Sequence, residues 1–252
     1  FAPSEIRQDI YTILAFNSEI SRIRYMVSDP LVGKLRLAWW QDAVETIYEN
    51  GKYSGPHHYI LDHLSKVIVE HEISKLSFDR LFKSRMLDFS NQPFKDEETL
   101  IDYAYGTSGV LNIILLRVVG INEVLGESVS ELGIAWALIG LMRALPSLAK
   151  LTYSPLSETL IPSHQGSNKF DPKLGQAVES VCRKAETFLM KSRLRQVSVP
   201  KEDCYLFLSS ILATHYLKQF AKVSYNPYAL EIKPGGVSQQ LRILFGILLG
   251  DY

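Results

Sequence analysis

Residues able to carry catalysis or to hold a metal are few in this sequence, and their spacing suits neither task. Ser163-His164 has no obvious acidic partner, which argues against a Ser-His-Asp hydrolase. The acidic run from Lys95 to Glu98 fits helix capping better than metal binding. No glycine-rich phosphate-binding loop is present. Four histidines form no HExxH pattern or other zinc-ligand set, so solvated or core histidines are the better interpretation. They are His57, His58, His63 and His71.

The element that must position any site is residues 133–150, GIAWALIGLMRALPSLAK, which has the pattern of one long buried helix. Arg143 is a cation between its apolar faces, so it marks an internal ion pair, a pocket wall or a side chain that reaches the surface. Large apolar residues recur at steps of four and three: Ile134, Leu138, Leu141, Leu145 and Leu148. A second stripe holds only small residues, and we expect it to face a cavity or a tightly packed neighbour: Gly133, Ala137, Gly140 and Ala144.

The rest of the chain is also predicted to be helical. Capping residues set the predicted starts at Ser4, Asp29-Pro30, Ser77 and Asp96. Residues 152–173 are rich in proline, serine and asparagine, and we expect an irregular loop there. No alternating strand or repeat is found, which predicts an all-α fold with one domain over residues 1–252. The predicted helices cover 4–27, 29–50, 57–72, 78–89, 96–119, 128–150, 172–195, 201–223 and 238–249.

Composition limits the class of partner and the compartment. The chain has 27 basic and 27 acidic residues, so it lacks the basic excess of a nucleic-acid-binding protein. Cys182 and Cys204 have apolar neighbours and are interpreted as reduced core cysteines. Because the sequence begins at Phe1 rather than at a methionine, we expect a leader that is removed or lies outside the given residues; no signal peptide is visible in them.

The two most apolar runs are not predicted to span a membrane. Arg117 interrupts residues 110–121, and residues 241–249 are too short for a bilayer, which needs ~20 apolar residues. The second run is predicted to be either a core helix or a surface anchor.

Three segments together resemble the squalene/phytoene synthase family, most clearly over residues 10–162. The more specific features are LAWWxD at 37–42 and YxYGTxG at 103–109. The resemblance is closest to the branch that includes the mitochondrial complex I assembly factor with a squalene/phytoene synthase domain, and its bacterial relatives. The segments are ILAFNSEISRIRYMVSDPLVGKLRLAWWQDAVETIY, PFKDEETLIDYAYGTSGVLNIILLRVVG and GIAWALIGLMRALPSLAK.

The resemblance implies an isoprenoid synthase-like helical bundle with a central cavity. Active members condense two prenyl diphosphates, whose leaving group is held by Mg²⁺ on two aspartate-rich motifs. Matched to this sequence, the first motif is degenerate, because its aspartate positions hold Ser21 and Tyr25, with Arg22 between them. Glu19 and Asp42 remain nearby, but two isolated acids do not rebuild the clusters.

The second motif is degenerate as well. Arg143 matches the arginine that precedes it in the family, but the aspartate positions hold Ala144 and Leu148. Gln41 stands where the family often has an arginine after the tryptophan pair, which further weakens diphosphate binding. Residues that the resemblance places as possible cavity lining are Glu19, Trp40, Tyr103, Tyr105, Gly109, Gly133, Ala137 and Gly140.

The degenerate motifs predict a catalytically silent synthase-like protein with no metal or cofactor, and the resemblance implies that it assists assembly of respiratory complex I (NADH dehydrogenase). Two alternatives stay open: an isoprenoid or lipid binder, and a prenyltransferase of squalene/phytoene type with displaced metal ligands. The expected partners are complex I subunits or other assembly factors, with peripheral membrane association and no nucleic acid. The expected location is the matrix side of the mitochondrial inner membrane, or the cytoplasm if the chain is bacterial.

Overall fold

The computed structural model describes residues 2–90, 92–121, 123–150, 171–195, 205–230 and 237–249, without the side chains at 123, 149–150, 237–239 and 247–249. The described part contains helices and turns and no strand, which confirms the all-α class. Its α-helices are α1 Ser4–Met26, α2 Pro30–Asn50, α3 Tyr59–Glu70, α4 Lys75–Met86, α5 Glu97–Ala104, α6 Val110–Val119, α7 Gly126–Lys150, α8 Pro172–Arg195, α9 Ser209–Lys222 and α10 Val237–Leu249.

Several helix ends are set by the residues that the sequence singles out. Asp29 accepts a hydrogen bond from the Leu31 amide at 2.8 Å, and Pro30 opens α2. Gly51 ends that helix with φ 70°, and Gly120 follows α6 with φ 74°. Both are left-handed conformations, which glycine adopts at no steric cost.

Two predicted caps are wrong. Pro3 occupies the N-cap of α1, and Ser4 lies inside the helix and donates to Glu5 at 2.6 Å. Ser74 rather than Ser77 precedes α4, because α3 ends in a tight turn with Glu72 at φ 46°. In that turn the Ile73 amide donates to the Ile68 carbonyl at 3.1 Å. The next helix, α4, therefore begins at Lys75, three residues before the predicted start at position 78.

Other boundaries differ by a few residues. The helix predicted over 57–72 covers Tyr59–Glu70, and the one predicted over 201–223 is regular only over Ser209–Lys222. Positions 201–204, including Cys204, and positions 151–170 of the predicted loop lie outside the described residues. Cys182 is a buried free thiol, as expected, and burial raises its pKa to about 12.

The chain divides into two compact units. Unit 1 contains Phe1–Asn91 and Val110–Gly126. Its core is built around Phe16, whose ring makes edge contacts with Trp40, Phe78 and Phe82 at centroid distances of 5.6, 5.5 and 5.9 Å. Edge-to-face contacts of this kind add to the stability gained from burying the rings.

Unit 2 contains Gln92–Gly109 and Glu127–Tyr252. Glu97 at the start of α5 binds α8 through Lys184 at 2.8 Å and Ser180 at 2.9 Å. Ser128 on α7 is fully buried and donates to the Ser192 carbonyl of α8 at 2.9 Å. The single domain over residues 1–252 stays a prediction.

Two helical stretches, Glu97–Val119 and Gly126–Leu148, are long and apolar enough to cross a membrane by length and composition. Within their most apolar windows, 56% and 61% of the residues are buried inside the protein. Core helices pass the same length and composition test, and this burial is typical of them.

The stripe of small residues on α7 predicts opposite effects for two glycine substitutions. A Cβ on Gly133 would overlap the Ser108 carbonyl and lie 2.7 Å from Gly109 Cα, whereas one on Gly140 would meet nothing within 4 Å. We expect Gly133→Ala to lower the free energy of unfolding by ~1–3 kcal/mol through overpacking. We expect Gly140→Ala to raise it by ~0.5–1 kcal/mol through helix propensity. Urea denaturation of both variants measures the difference, and equal effects would contradict the close approach at Gly133.

Candidate functional site

The residues predicted to form the degenerate first motif, Ser21, Arg22 and Tyr25, lie on α1, and none of them carries a carboxylate. Ser21 donates its hydroxyl to the Ser18 carbonyl at 3.1 Å. Tyr25 is 55% exposed overall, but desolvation of its phenol, followed by the negative charge of Asp88, raises its pKa. A phenol with a raised pKa stays neutral at pH 7 and is a poor Mg²⁺ ligand. Arg22 is exposed beside them.

The remaining acids near this motif do not form a ligand set. Glu19 is half-buried on α1 and Asp42 is exposed on α2. Among the described residues, the group of three ligand side chains close enough to share an ion is Asp9, Glu70 and His71, whose ligand atoms lie within 4.8 Å of one another. Asp9 lies twelve residues before Ser21 on α1, which is about 18 Å along a helix axis. This group therefore cannot replace the first motif.

The Asp9–His71 pair ties two helices together. Asp9 Oδ2 lies 2.9 Å from His71 Nε2 and joins α1 to the end of α3. The sequence interpretation of His71 as a solvated or core histidine misses this partner, which lies 62 positions away in the chain. His58 also has a structural task, because its Nδ1 accepts from the Leu61 amide at 3.4 Å and caps α3.

The residues predicted to form the degenerate second motif lie on α7, and the cation among them, Arg143, has an aromatic partner. The Arg143 guanidinium lies 3.8 Å from the centroid of the Tyr216 ring on α9. Its Nε is buried and has no hydrogen-bond partner in the part of the chain that the structure describes. Burial lowers the pKa of Arg143, but an arginine remains charged at neutral pH. Ala144 is half-buried and Leu148 is buried, and neither side chain carries an oxygen.

The YxYGTxG segment forms a π-helical turn over Tyr105–Gly109. Thr107 donates to the Tyr103 carbonyl at 2.8 Å, and the buried Tyr103 ring lies 4.9 Å from Phe94. Tyr105 is 37% exposed. π-turns within helices occur often at functional sites. Here the turn places the backbone of Gly109 against α7, so it has a packing role within unit 2.

The possible cavity-lining residues differ in exposure. Trp40 is only 6% exposed and packs edge-on to Phe16 and to His58, so its ring is part of the core of unit 1. Gly133 is buried against the π-turn, while Ala137 and Gly140 on the same helix are half-buried. Whether any of these residues contacts a ligand stays a prediction.

Unit 1 also contains a pocket that the sequence does not indicate. Its volume is about 390 Å³, and it opens where α3 ends and α4 begins. Arg117 at its edge donates to the His71 carbonyl at 3.1 Å and pairs with Glu72 at 3.4 Å. The aliphatic lining comes from Ile73, Ile113, Ile114, Leu116 and Ile121.

The chain matches a known protein family over nearly its whole length. The sequence profile described as Squalene/phytoene synthase matches residues 1–241. The chain belongs to the squalene/phytoene synthase family. A solved dehydrosqualene synthase with bound ligand superposes with a TM-score of 0.78 over 100% of this chain and 89% of its own, at 15% identity. Squalene synthase HpnC from Alicyclobacillus acidocaldarius superposes with a TM-score of 0.69 over 89% of this chain and 86% of its own, at 13% identity. These likenesses confirm the isoprenoid synthase-like fold.

The relatives found among curated proteins are named as assembly factors and not as synthases. A protein named NADH dehydrogenase (ubiquinone) complex I, assembly factor 6, from Mus musculus is 25% identical over 236 residues, which is 89% of this chain and 68% of the relative. Its Homo sapiens counterpart is 21% identical over 231 residues, with the same coverage. The Dictyostelium discoideum homologue is 27% identical over 232 residues, covering 87% of this chain and 64% of its own.

The contact between Arg143 and Tyr216 is testable by a double-mutant cycle. We expect the single substitutions Arg143→Met and Tyr216→Leu to be non-additive, with a coupling energy of ~0.5–2 kcal/mol, because a partly desolvated cation over a ring is worth about that much. Chemical denaturation of the wild type, both singles and the double variant measures it. A coupling energy near zero would contradict the contact, and Lys191→Met with Tyr216→Leu is the uncoupled control.

Proposed function

We propose that this chain is a catalytically silent member of the squalene/phytoene synthase family that assists assembly of respiratory complex I. The observation that carries the proposal is the absence of carboxylates at Ser21, Tyr25, Ala144 and Leu148, where the family resemblance places the metal-binding aspartates. The names of the curated relatives support the same role.

Ionisation of a prenyl diphosphate requires negative ligands for metal ions, which is why the residues at those four positions decide whether the reaction can occur. Breaking the bond between a prenyl carbon and its diphosphate leaves a multiply charged anion, which metal ions must neutralise in the transition state. Hydroxyls at Ser21 and Tyr25 are neutral, weak ligands for Mg²⁺, and Ala144 and Leu148 provide none. Arg143 could attract an anion by charge alone, but binding without differential stabilisation of the transition state gives no rate enhancement.

In this role the chain acts through protein contacts. Its partners are complex I subunits or other assembly factors. Its location is the matrix side of the mitochondrial inner membrane, or the cytoplasm in a bacterium. This location follows from the assembly role, because the relatives are named for a respiratory complex.

Binding of an isoprenoid or another lipid is the second candidate function. The pocket in unit 1 favours it, because about 390 Å³ lies within the range of small-molecule sites and half of the ten lining residues are aliphatic. Extraction of the purified protein with organic solvent, followed by mass spectrometry, tests this candidate. A stoichiometric apolar compound that is lost on Ile114→Trp, which fills the pocket, supports it.

The assembly role predicts that this chain restores complex I in deficient cells without catalysing a prenyl transfer. In cells that lack their own assembly factor 6, we expect this chain with a matrix-targeting leader to restore assembled complex I, measured by native electrophoresis and NADH oxidation. The variant Glu19→Gln/Asp42→Asn removes the remaining acids near the first motif and should rescue equally well.

The matching enzymatic assay uses farnesyl diphosphate, Mg²⁺ and NADPH with purified protein. We expect no squalene or other hydrocarbon above background. Product that disappears with EDTA or in the Glu19→Gln/Asp42→Asn variant would establish a prenyltransferase with displaced ligands. Failure of the wild-type chain to rescue complex I would contradict the assembly role.

A further inference from the structure

The C-terminal end of α3 and the first half of α1 bring three metal-ligating side chains together in unit 1. The ligand atoms of Asp9, Glu70 and His71 lie within 4.8 Å of one another. Asp9 Oδ2 is 2.9 Å from His71 Nε2. An imidazole nitrogen together with carboxylate oxygens is a ligand set that Zn²⁺ and similar divalent transition metals take in proteins. The group therefore has the chemistry of a metal site and is more than a cluster of acids.

The distances within the group suit such a metal after a small movement. Bonds of about 2.0–2.2 Å in a tetrahedral site place neighbouring ligand atoms ~3.3–3.5 Å apart. The Asp9–His71 pair, at 2.9 Å, needs to open only slightly. Glu70 is exposed, so its side chain is free to change rotamer and shorten its own distances by the ~1.5 Å at most that the tetrahedral spacing requires.

The backbone that carries His71 is held in a fixed turn. The His71 amide donates to the Val67 carbonyl at 3.1 Å, and the His71 carbonyl accepts from Arg117 Nε at 3.1 Å. Two residues later, the Ile73 amide donates to the Ile68 carbonyl at 3.1 Å, and both isoleucine side chains are buried in the core of unit 1. The imidazole is only 15% exposed. A ligand positioned in this way loses little freedom when it binds a metal.

The charge of the group favours a cation. Within the part of the chain that the structure describes, Glu70 has no ion-pair partner and Asp9 has none besides His71. Arg117 is near the same turn, but it pairs with Glu72 at 3.4 Å. Two carboxylates outnumber one imidazole, so the group is negative whether the ring is neutral or protonated. A divalent cation would neutralise it and would relieve the repulsion between the two carboxylates.

A second histidine–aspartate pair in unit 1 shows what the group has in addition. His57 Nδ1 contacts Asp62 Oδ2, but the His57 side chain is 84% exposed. Among the described residues, no third ligand side chain lies close enough to join that pair in sharing an ion. The His57–Asp62 pair therefore provides a control of the same residue types with one ligand fewer.

We propose that Asp9, Glu70 and His71 form a structural site for a divalent transition metal with the ligand preference of Zn²⁺. The protein ligands are His71 Nε2 and one oxygen of each carboxylate, and water completes the coordination on the exposed side of Glu70. Any proton on Nε2 is released to solvent, because a ligating nitrogen is unprotonated. The metal fastens α1 to the end of α3. Asp9 lies more than three helical turns from Ser21, so the site is separate from the degenerate first motif.

Isothermal titration of the purified, metal-free chain with Zn²⁺ tests the proposal, and the visible spectrum of added Co²⁺ reports coordination by nitrogen and oxygen. We expect one saturable Zn²⁺ site per chain. We expect the midpoint of thermal unfolding to rise with Zn²⁺ concentration, because the metal binds the folded state. Mg²⁺ should bind more weakly, since it prefers oxygen ligands alone.

Two substitutions in the group should weaken Zn²⁺ binding. We expect His71→Asn to weaken it by more than the ~10–100-fold that loss of an outer-shell partner costs, because the nitrogen ligand itself is removed. We expect Glu70→Gln to weaken it by on the order of tenfold. Glu70→Gln keeps the contact between Asp9 and His71, so it tests the site even if His71→Asn does not fold.

Two matched variants control for general effects of charge and of histidine. Glu72→Gln removes the same charge two positions away, from a side chain that is 82% exposed and pairs with Arg117. His57→Asn removes the histidine of the two-ligand pair. Both should bind Zn²⁺ as the wild type does. Circular dichroism verifies that each variant is folded.

Three results would overturn the proposal: no saturable Zn²⁺ site in the wild type, full binding by either Glu70→Gln or His71→Asn, or an equal loss in Glu72→Gln or His57→Asn. Binding of Mg²⁺ as tight as that of Zn²⁺ would overturn the imidazole as a ligand. The inference does not depend on the assembly role, because metal binding and rescue of complex I are separate measurements and either can fail alone.

Discussion

The contact on which unit 2 depends is the approach of two backbones at Gly133. The Ser108 carbonyl and Gly109 Cα lie where a side chain at position 133 would begin. Such an approach needs a glycine on α7 and a neighbouring segment that presents its main chain. The π-helical turn at Tyr105–Gly109 provides that segment, and Gly109 in turn lies against Ser130. The YxYGTxG pattern therefore has a structural role in unit 2 that does not depend on synthase chemistry.

The family fold is physically compatible with neutral residues at the positions that the resemblance assigns to the metal ligands. Clustered carboxylates are stable in a protein when a cation neutralises them, and they repel one another when it is absent. Leu148 is only 4% exposed, so an ionised carboxylate there would be desolvated without compensation. Apolar and neutral residues at such positions remove that cost. A family member without Mg²⁺ chemistry is expected to be more stable without its aspartates than with them.

Local signals in the sequence predict most helices, because caps and glycines act within a few residues. Asp29-Pro30, Gly51, Asp96 and Gly120 each work through their own backbone or through a neighbour on the next turn. The choice between Ser74 and Ser77 is not local, since it depends on how α3 ends at Glu72.

The side-chain partners within the candidate sites are distant in sequence. Arg143 contacts Tyr216, and His71 contacts Asp9 across 62 positions. Periodicity predicts that Arg143 needs a partner, but it cannot identify an aromatic ring on another helix. The pocket beside Arg117 escapes the sequence for the same reason, because it is formed by the α3–α4 turn and one face of α6.

The C-terminal helix combines features of the two structures that the sequence allows for it, a core helix, which the sequence favours, and a surface anchor. A helix that is apolar on all sides is normally surrounded by protein or lipid. In α10, the side that carries Gly246 packs on α9, as in a core helix, while Leu241, Leu244 and Phe245 are open to solvent. Half of the helix thus fits the core interpretation. The other half has apolar area whose burial would be worth about 25 cal/mol per Å², and it is available for a surface outside the described chain.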